Sequence, residues 1–187
     1  MRKMEVRNLT QAPMMEKESR TIKGTAVVFN SRSEQLGDFT EFIDPHAFDD
    51  VDMSDVVLLY NHDSGSVLAR TSANTLKLNL DERGLHFEAA IPETTLGNDT
   101  LTNLRNKNIS GMSFGFDIAD DDWEDTSDGY VHYVRKINHL YEISVVTFPA
   151  YKATDVEAST RSLTGFKEIE KEKVWIKSQL SNLEEKI

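Results

Sequence analysis

The sequence predicts a mostly β domain with peripheral helices (α+β), closed or nearly closed into a β-barrel, and followed by a C-terminal amphipathic helix. Three observations predict it. Roughly eight to ten short segments are rich in β-branched and aromatic residues or alternate apolar with polar side chains at period two. Turn-forming Gly, Pro, Asn and Asp clusters separate them, with no repeated strand–helix–strand units between. From about Thr164 the composition shifts to Glu, Lys and Leu. The expected division is a β-barrel domain over residues 1–160 and a helical tail over 161–187.

Taken in order, residues 3–10 form a short strand and 11–20 a polar connection. Thr21–Asn30 is β-branched around Gly24, a strand with a kink. Phe39–Ile43 is a strand ended by Asp44-Pro45, where Asp44 caps a helical turn over residues 46–50 with Pro45 at its first position. Val56–Tyr60 is a continuous apolar run, hence a strand buried on both faces, and it stops at Asn61-His62-Asp63 before a Ser64-Gly65-Ser66 turn cluster. A histidine at the lip of a buried strand is held firmly and open on one side, which suits a general base; a structural hydrogen-bonding histidine fits the same position.

Val67–Arg70, Thr75–Leu80 and Leu85–Ile91 are further strands, with a hairpin turn at Asp81–Gly84. Residues 92–95 are a break and Asn98–Asn106 a helix with Leu101 and Leu104 on one side. The acidic run Asp120–Asp125 reads as a solvated hairpin tip. As a calcium loop it fails, because Gly129 at the sixth position puts Arg135 where the bidentate glutamate belongs. Val131–Ile137 and Leu140–Phe148 are strands, the second closed by Pro149-Ala150-Tyr151 and carrying Glu142, Ser144 and Val146 on one face. In the tail, Phe166, Ile169, Ile176, Leu180, Leu183 and Ile187 follow three- and four-residue steps if Lys173 fills one position of the seam, about three heptads that pack on a partner or on their own domain.

The segment 109–116 concentrates the chemistry. At period two, Met112, Phe114 and Phe116 share a core face, and Gly111, Ser113 and Gly115 the other. Two glycines flanking a serine in a strand mark a place where another backbone approaches closely, as a peptide attacked by Ser113 must; a bulged strand end with an incidental serine fits the same residues. Gly111–Gly115 also matches G-x-S-x-G, but that elbow needs a helix after the serine, and an acidic stretch follows here instead. His132 and His139, downstream of Ser113, keep an α/β-hydrolase-like esterase in view.

Composition narrows the classes. The chain has 187 residues, enough for a core, and a net charge of −11, which opposes sequence-independent binding of nucleic acid. There is no cysteine, so disulfides, thiolate catalysis and cysteine-ligated metals are excluded. No apolar run reaches membrane-spanning length and no signal-type stretch follows Met1-Arg2-Lys3, so the chain reads as soluble and made without an export signal.

Six collinear blocks then become specific: Gly24-Thr25-Ala26-Val27-Val28-Phe29-Asn30, residues 39–48, Leu59-Tyr60-Asn61-His62-Asp63, residues 84–89, residues 111–116 and residues 140–151. Over residues 20–155 the chain resembles the prohead (capsid maturation) proteases of tailed bacteriophages of the HK97 type. It departs from them at His46, where glycine is usual, and at Ala69, where Leu-Gly-Arg is common. The resemblance implies a β-barrel of the herpesvirus assembly protease type, wrapped by helices. It implies a serine endopeptidase with His62 as base, Ser113 as nucleophile and Glu142 as third member, and no metal or cofactor. Asp63 is the competing acid. The implied substrates are the major capsid protein, the internal scaffold and the protease itself, inside the assembling prohead in the host bacterial cytoplasm. The C-terminal helix suits scaffold or a second copy. A non-catalytic β-barrel assembly factor is the rival from another class.

Overall fold

The computed structural model describes residues 5–9, 13–15, 19–147 and 156–184. Its strands are β1 (Glu5–Leu9), β2 (Met14–Met15), β3 (Thr21–Val28), β4 (Phe39–Ile43), β5 (Val57–Tyr60), β6 (Asp63–Arg70), β7 (Leu76–Asp81), β8 (Gly84–Ala90), β9 (Gly111–Thr126) and β10 (Gly129–Val146). The helices are α1 (Thr95–Arg105) and α2 (Val156–Glu184), with a 3-10 turn over Pro45–Phe48. The chain divides into two compact units, Met1–Lys152 and Ala153–Ile187.

The mostly β architecture with two helices is as expected, but the described strands do not close into one barrel. Among the described residues the strands make a six-stranded sheet, ordered β1-β9-β10-β5-β6 with β4 also on β10, and a four-stranded sheet, β2-β3-β8-β7. The larger sheet is built on a long β9–β10 hairpin. Register shifts between Val134 and Glu142 bend β10, because each irregularity adds local twist. Beyond β9, the other edge of β10 is long enough to take β4 at Tyr130–Val134 and β5 at Glu142–Val145, both parallel.

One apolar core joins the sheets. Ile22, Val27, Leu85 and Phe87 come from the smaller, and Leu58, Met112, Phe114, Phe116, Ile143 and Val145 from the larger. The alternation read at residues 112–116 is therefore real, with all three large side chains at most 2% exposed.

Local signals explain the shorter elements. Asp44 caps the 3-10 turn, its carboxylate accepting from the His46 amide at 2.9 Å. Thr94 caps α1 through the Gly97 amide at 3.0 Å, so the helix starts ahead of Asn98. At the start of β8, Gly84 has a φ of +155°, and a Cβ there would lie 1.9 Å from the Val27 carbonyl oxygen.

Two strand expectations change. The acidic run is not a tip: residues 120–125 are paired within β9 and the turn falls at Ser127-Asp128. Cross-strand partners make this possible, since Asp122 pairs with Arg135 at 2.8 Å and Glu124 accepts from the Tyr133 hydroxyl at 3.0 Å. The strands expected at 131–137 and 140–148 are one strand, because the bulges bend it without ending it. In α2, Ile169 and Ile176 are exposed, together with Val174 and Trp175. The side chains of Leu180 and Leu183, and Ile187, Phe148 and the Pro149-Ala150-Tyr151 break, lie outside the described residues. No described helix is long and apolar enough to cross a membrane.

Candidate active site

Parallel pairing of β5 with β10 sets the end of β5 beside the end of β10, with Tyr60 opposite Val145. The chain reverses there in a tighter turn than the sequence suggests. Tyr60 pairs directly with Asp63, leaving Asn61 and His62 as a two-residue loop with φ of 50° and 60°. Two left-handed residues in succession suit the twist of a hairpin, and Asn and His tolerate that region better than most side chains. Ser64–Ser66 form an excursion within β6, because the ladder resumes only at Leu59 opposite Val67.

The turn is fastened to β10. The Asn61 amide donates to the Val145 carbonyl at 2.9 Å, and the Asn61 side chain both donates to the Thr147 hydroxyl at 3.2 Å and accepts from the Thr147 amide at 2.9 Å. The His62 amide donates to the Ser144 hydroxyl oxygen at 3.2 Å. His62 is thereby held by main chain as well as by side chain.

Glu142 meets the imidazole. His62 Nδ1 lies 2.7 Å from Glu142 Oε1, with the His62 side chain 28% exposed and the Glu142 side chain 5%. A carboxylate there assigns the ring proton to Nδ1 and leaves Nε2 as the acceptor. The second oxygen, Oε2, accepts from the Ser144 hydroxyl at 2.5 Å. Asp63 is spent elsewhere: its carboxylate accepts from the Gly65 amide at 2.9 Å and the Ser66 hydroxyl at 2.6 Å, and these bonds, Ser66 first, hold it below the usual carboxylate range.

Ser113 is on the neighbouring strand. In the β9–β10 ladder Ser113 is opposite Ser144 and Gly115 opposite Glu142. Residues opposite one another point to the same face, about 4.5–5.5 Å apart at Cβ. Ser113, Ser144 and Glu142 therefore share a face. Ser113 is buried, and its hydroxyl donates to the main-chain carbonyl of Arg7 at 2.7 Å rather than to His62.

Arg7 explains why β1 stays in that place. Its guanidinium, itself buried, bonds Glu5 and Glu41, the latter at 2.7 Å from Nη2, and lies 5.5 Å from the centre of the Phe116 ring. Burial pushes the Glu41 carboxyl up, but Arg7 and His132 outweigh it and hold it down at about 2. His132 is fully buried with Nδ1 2.8 Å from Glu41 and Nε2 2.7 Å from Asp121. Both ring nitrogens are thus engaged by carboxylates. His139 pairs with Asp52 at 3.1 Å and lies opposite Asp117, about 14 Å along β9 from Ser113 at roughly 3.4 Å per residue. The G-x-S-x-G match has no elbow either, since Ser113 is in the interior of a strand that runs to Thr126.

Sequence reasoning brought forward His62, Ser113 and Glu142, and the structure joins the first to the third. It missed Ser144, although the period-two face shared with Glu142 was the available signal. It also missed the Asn61–Thr147 clamp, which pairs residues far apart in the chain.

The fold is similar to that of a solved capsid assembly protease. The structure of the bacteriophage T4 capsid assembly protease, gp21, matches with a TM-score of 0.51, covering 77% of this chain and 97% of that one at 12% identity, a likeness of fold alone. The sequence is more particular. The profile of the caudovirus prohead serine proteases matches residues 3–169, and the chain belongs to that family. The prohead protease of Enterobacteria phage HK97 is 30% identical over 101 residues, 54% of this chain and 44% of the relative, so the chain spans less than half of that relative's length.

Proposed function

We propose that this chain is a serine endopeptidase that cleaves the major capsid protein and scaffold, and also itself, during maturation of a phage prohead inside the host bacterium. The observation that carries the proposal is the 2.7 Å contact between His62 Nδ1 and Glu142 Oε1, on a ladder whose next row on the same face places Ser144 opposite Ser113. The family supports the protease class, and the geometry supports these residues as its machinery.

The Ser113 hydroxyl turns from the Arg7 carbonyl toward His62 Nε2, which takes its proton as Oγ adds to the scissile carbonyl carbon. Glu142 holds the imidazole in the tautomer with Nδ1 protonated and stabilises the imidazolium that forms. Collapse of the tetrahedral intermediate breaks the C–N bond, and His62 returns its proton to the leaving amine. Water, deprotonated by the same nitrogen, then hydrolyses the acyl-serine and frees the Ser113 hydroxyl. The apolar residues exposed on α2 support an association with scaffold or with a second copy of the chain.

Co-expression with the cognate capsid protein, followed by mass measurement of the products, tests this reading. Defined fragments that disappear with Ser113→Ala support it. Intact capsid protein beside a folded wild-type chain favours the non-catalytic assembly factor. Against the esterase reading stand both ring nitrogens of His132, each bonded to a carboxylate, and the absence of an elbow at the serine; His139 is left to the variants described below.

A further inference from the structure

We infer that Ser144 is a positioning residue of this site, acting through Glu142 and through the main chain of His62. The inference rests on the catalytic reading of Ser113, His62 and Glu142 given above.

The Ser144 hydroxyl makes two bonds that run in opposite senses. It donates to Glu142 Oε2 at 2.5 Å and accepts from the His62 amide at 3.2 Å. A hydroxyl has one donor and two acceptor sites, so a single oxygen satisfies both partners. Glu142 is buried, with only 5% of its side chain exposed, and an ionised carboxylate there needs partners on both oxygens. His62 takes Oε1 and Ser144 takes Oε2. Without the Ser144 donor, only the His62 bond restrains the carboxylate's terminal torsion, which is broad and has no single preferred well. The imidazole's acceptor is then less firmly fixed.

The second bond acts on the turn. His62 has a φ of 60°, which a non-glycine residue keeps only when its surroundings hold it there. Its amide is held by Ser144, while Asn61 is held by Val145 and Thr147. Ser144 therefore fixes the imidazole at both ends of its side chain: at the backbone directly and at Nδ1 through Glu142. It does so from the ladder position opposite Ser113, the row on which base and nucleophile must meet. Ser144 is itself fully buried, so bulk water does not compete for either bond in this conformation.

The test uses the full chain, a fluorophosphonate probe that labels an activated serine, and intact-mass detection. Ser144→Thr and Ser144→Val have nearly the same shape and differ in the hydroxyl, so their ratio removes the packing cost of the added methyl group. Ser144→Val should label roughly tenfold more slowly than Ser144→Thr, the scale of one orienting hydrogen bond to a charged group. That gap should shrink when both are made on Glu142→Gln, because the part of the effect that runs through Glu142 is non-additive with it while the bond to the His62 amide remains. Equal rates for Thr and Val, or a tenfold gap that persists on Glu142→Gln, would overturn the inference. If circular dichroism shows that the branched variants do not fold, Ser144→Ala against wild type carries the same double-mutant criterion.

A second readout does not need catalysis. The His62 Nδ1 proton should give a resolved low-field NMR resonance in the wild type, lost to exchange in Ser144→Ala. An unlabelled wild type would sink the nucleophile assignment while leaving this resonance to judge Ser144. An unchanged resonance in Ser144→Ala would refute the positioning role whatever the labelling shows.

Discussion

The Ser113 hydroxyl and the Arg7 carbonyl oxygen lie 2.7 Å apart, so the proposed nucleophile is bonded to the neighbouring edge strand. Attack requires it to leave that acceptor. Ser113→Ala should abolish labelling by a fluorophosphonate and cleavage of capsid protein. It should retain the fold at a cost of about 0.5–1.5 kcal/mol, the usual net value of one hydrogen bond. Labelling of the alanine variant at the wild-type rate would remove Ser113 from the mechanism.

His62→Ala should be as inactive as Ser113→Ala, and the double variant no worse than either, because the two act as a unit. His139→Ala should keep most activity, since its ring is paired to Asp52 and stands well along β9 from the serine. Rates of labelling for the single and double variants decide the matter. An active His62→Ala beside an inactive His139→Ala would make His139 the base.

Glu142→Gln should slow peptide cleavage by roughly 10²–10⁴-fold, the scale of losing the imidazole's tautomer and charge support. Asp63→Asn should be far milder, because Asp63 is bonded within its own hairpin to Gly65 and Ser66. A time course with both purified variants, folding checked in parallel, compares them. A crippled Asp63→Asn with a near-normal Glu142→Gln would exchange their roles.

The Arg7–Glu41–His132–Asp121 cluster makes stability depend on pH. Burial pulls His132 down, but Asp121 and Glu41 outweigh it and hold it above its ordinary value. A raised value in the folded state gives a contribution that is complete below the unfolded value, about 6.5, and lost as pH rises through the folded one. The Tm advantage of the wild type over His132→Gln should therefore shrink from pH 6 to pH 9. Glu41 acts at the other end. Held down at about 2, it contributes above its ordinary range and loses that contribution as pH falls toward 2. Thermal melts across pH test both signs, and an advantage over His132→Gln that grows with pH contradicts the first.

Deleting residues 165–187 should leave the unit Met1–Lys152 folded, because its core residues all belong to that unit. Self-association, read by analytical ultracentrifugation, should weaken as Ile169, Val174, Trp175 and Ile176 are removed. An unfolded truncation by circular dichroism would assign the helix to the core. Unchanged association would move the contact elsewhere.

Much of this protein was legible because strand patterns are local. Period two at Met112, Phe114 and Phe116 named a core face, and the structure buries all three. Asp44 before Pro45 named a capped turn, which formed as a 3-10 turn. His62, Ser113 and Glu142 came forward through the blocks in which they stand, and Glu142 now meets His62 across 80 residues of chain. What only the tertiary structure decided depends on register, which no single segment carries. Pairing β5 with β10 leaves Asn61 and His62 as a left-handed two-residue loop. Pairing β9 with β10 sets Ser144 opposite Ser113 and lets acidic residues run inside a strand, paired with Arg135 and Tyr133. Pairing β1 with β9 puts the Arg7 carbonyl on the serine. Apolar alternation says which face of each strand is buried, but closing those strands into one barrel or splitting them between two sheets buries the same residues. Inter-strand hydrogen bonds make that choice, and they form between residues the sequence does not place side by side.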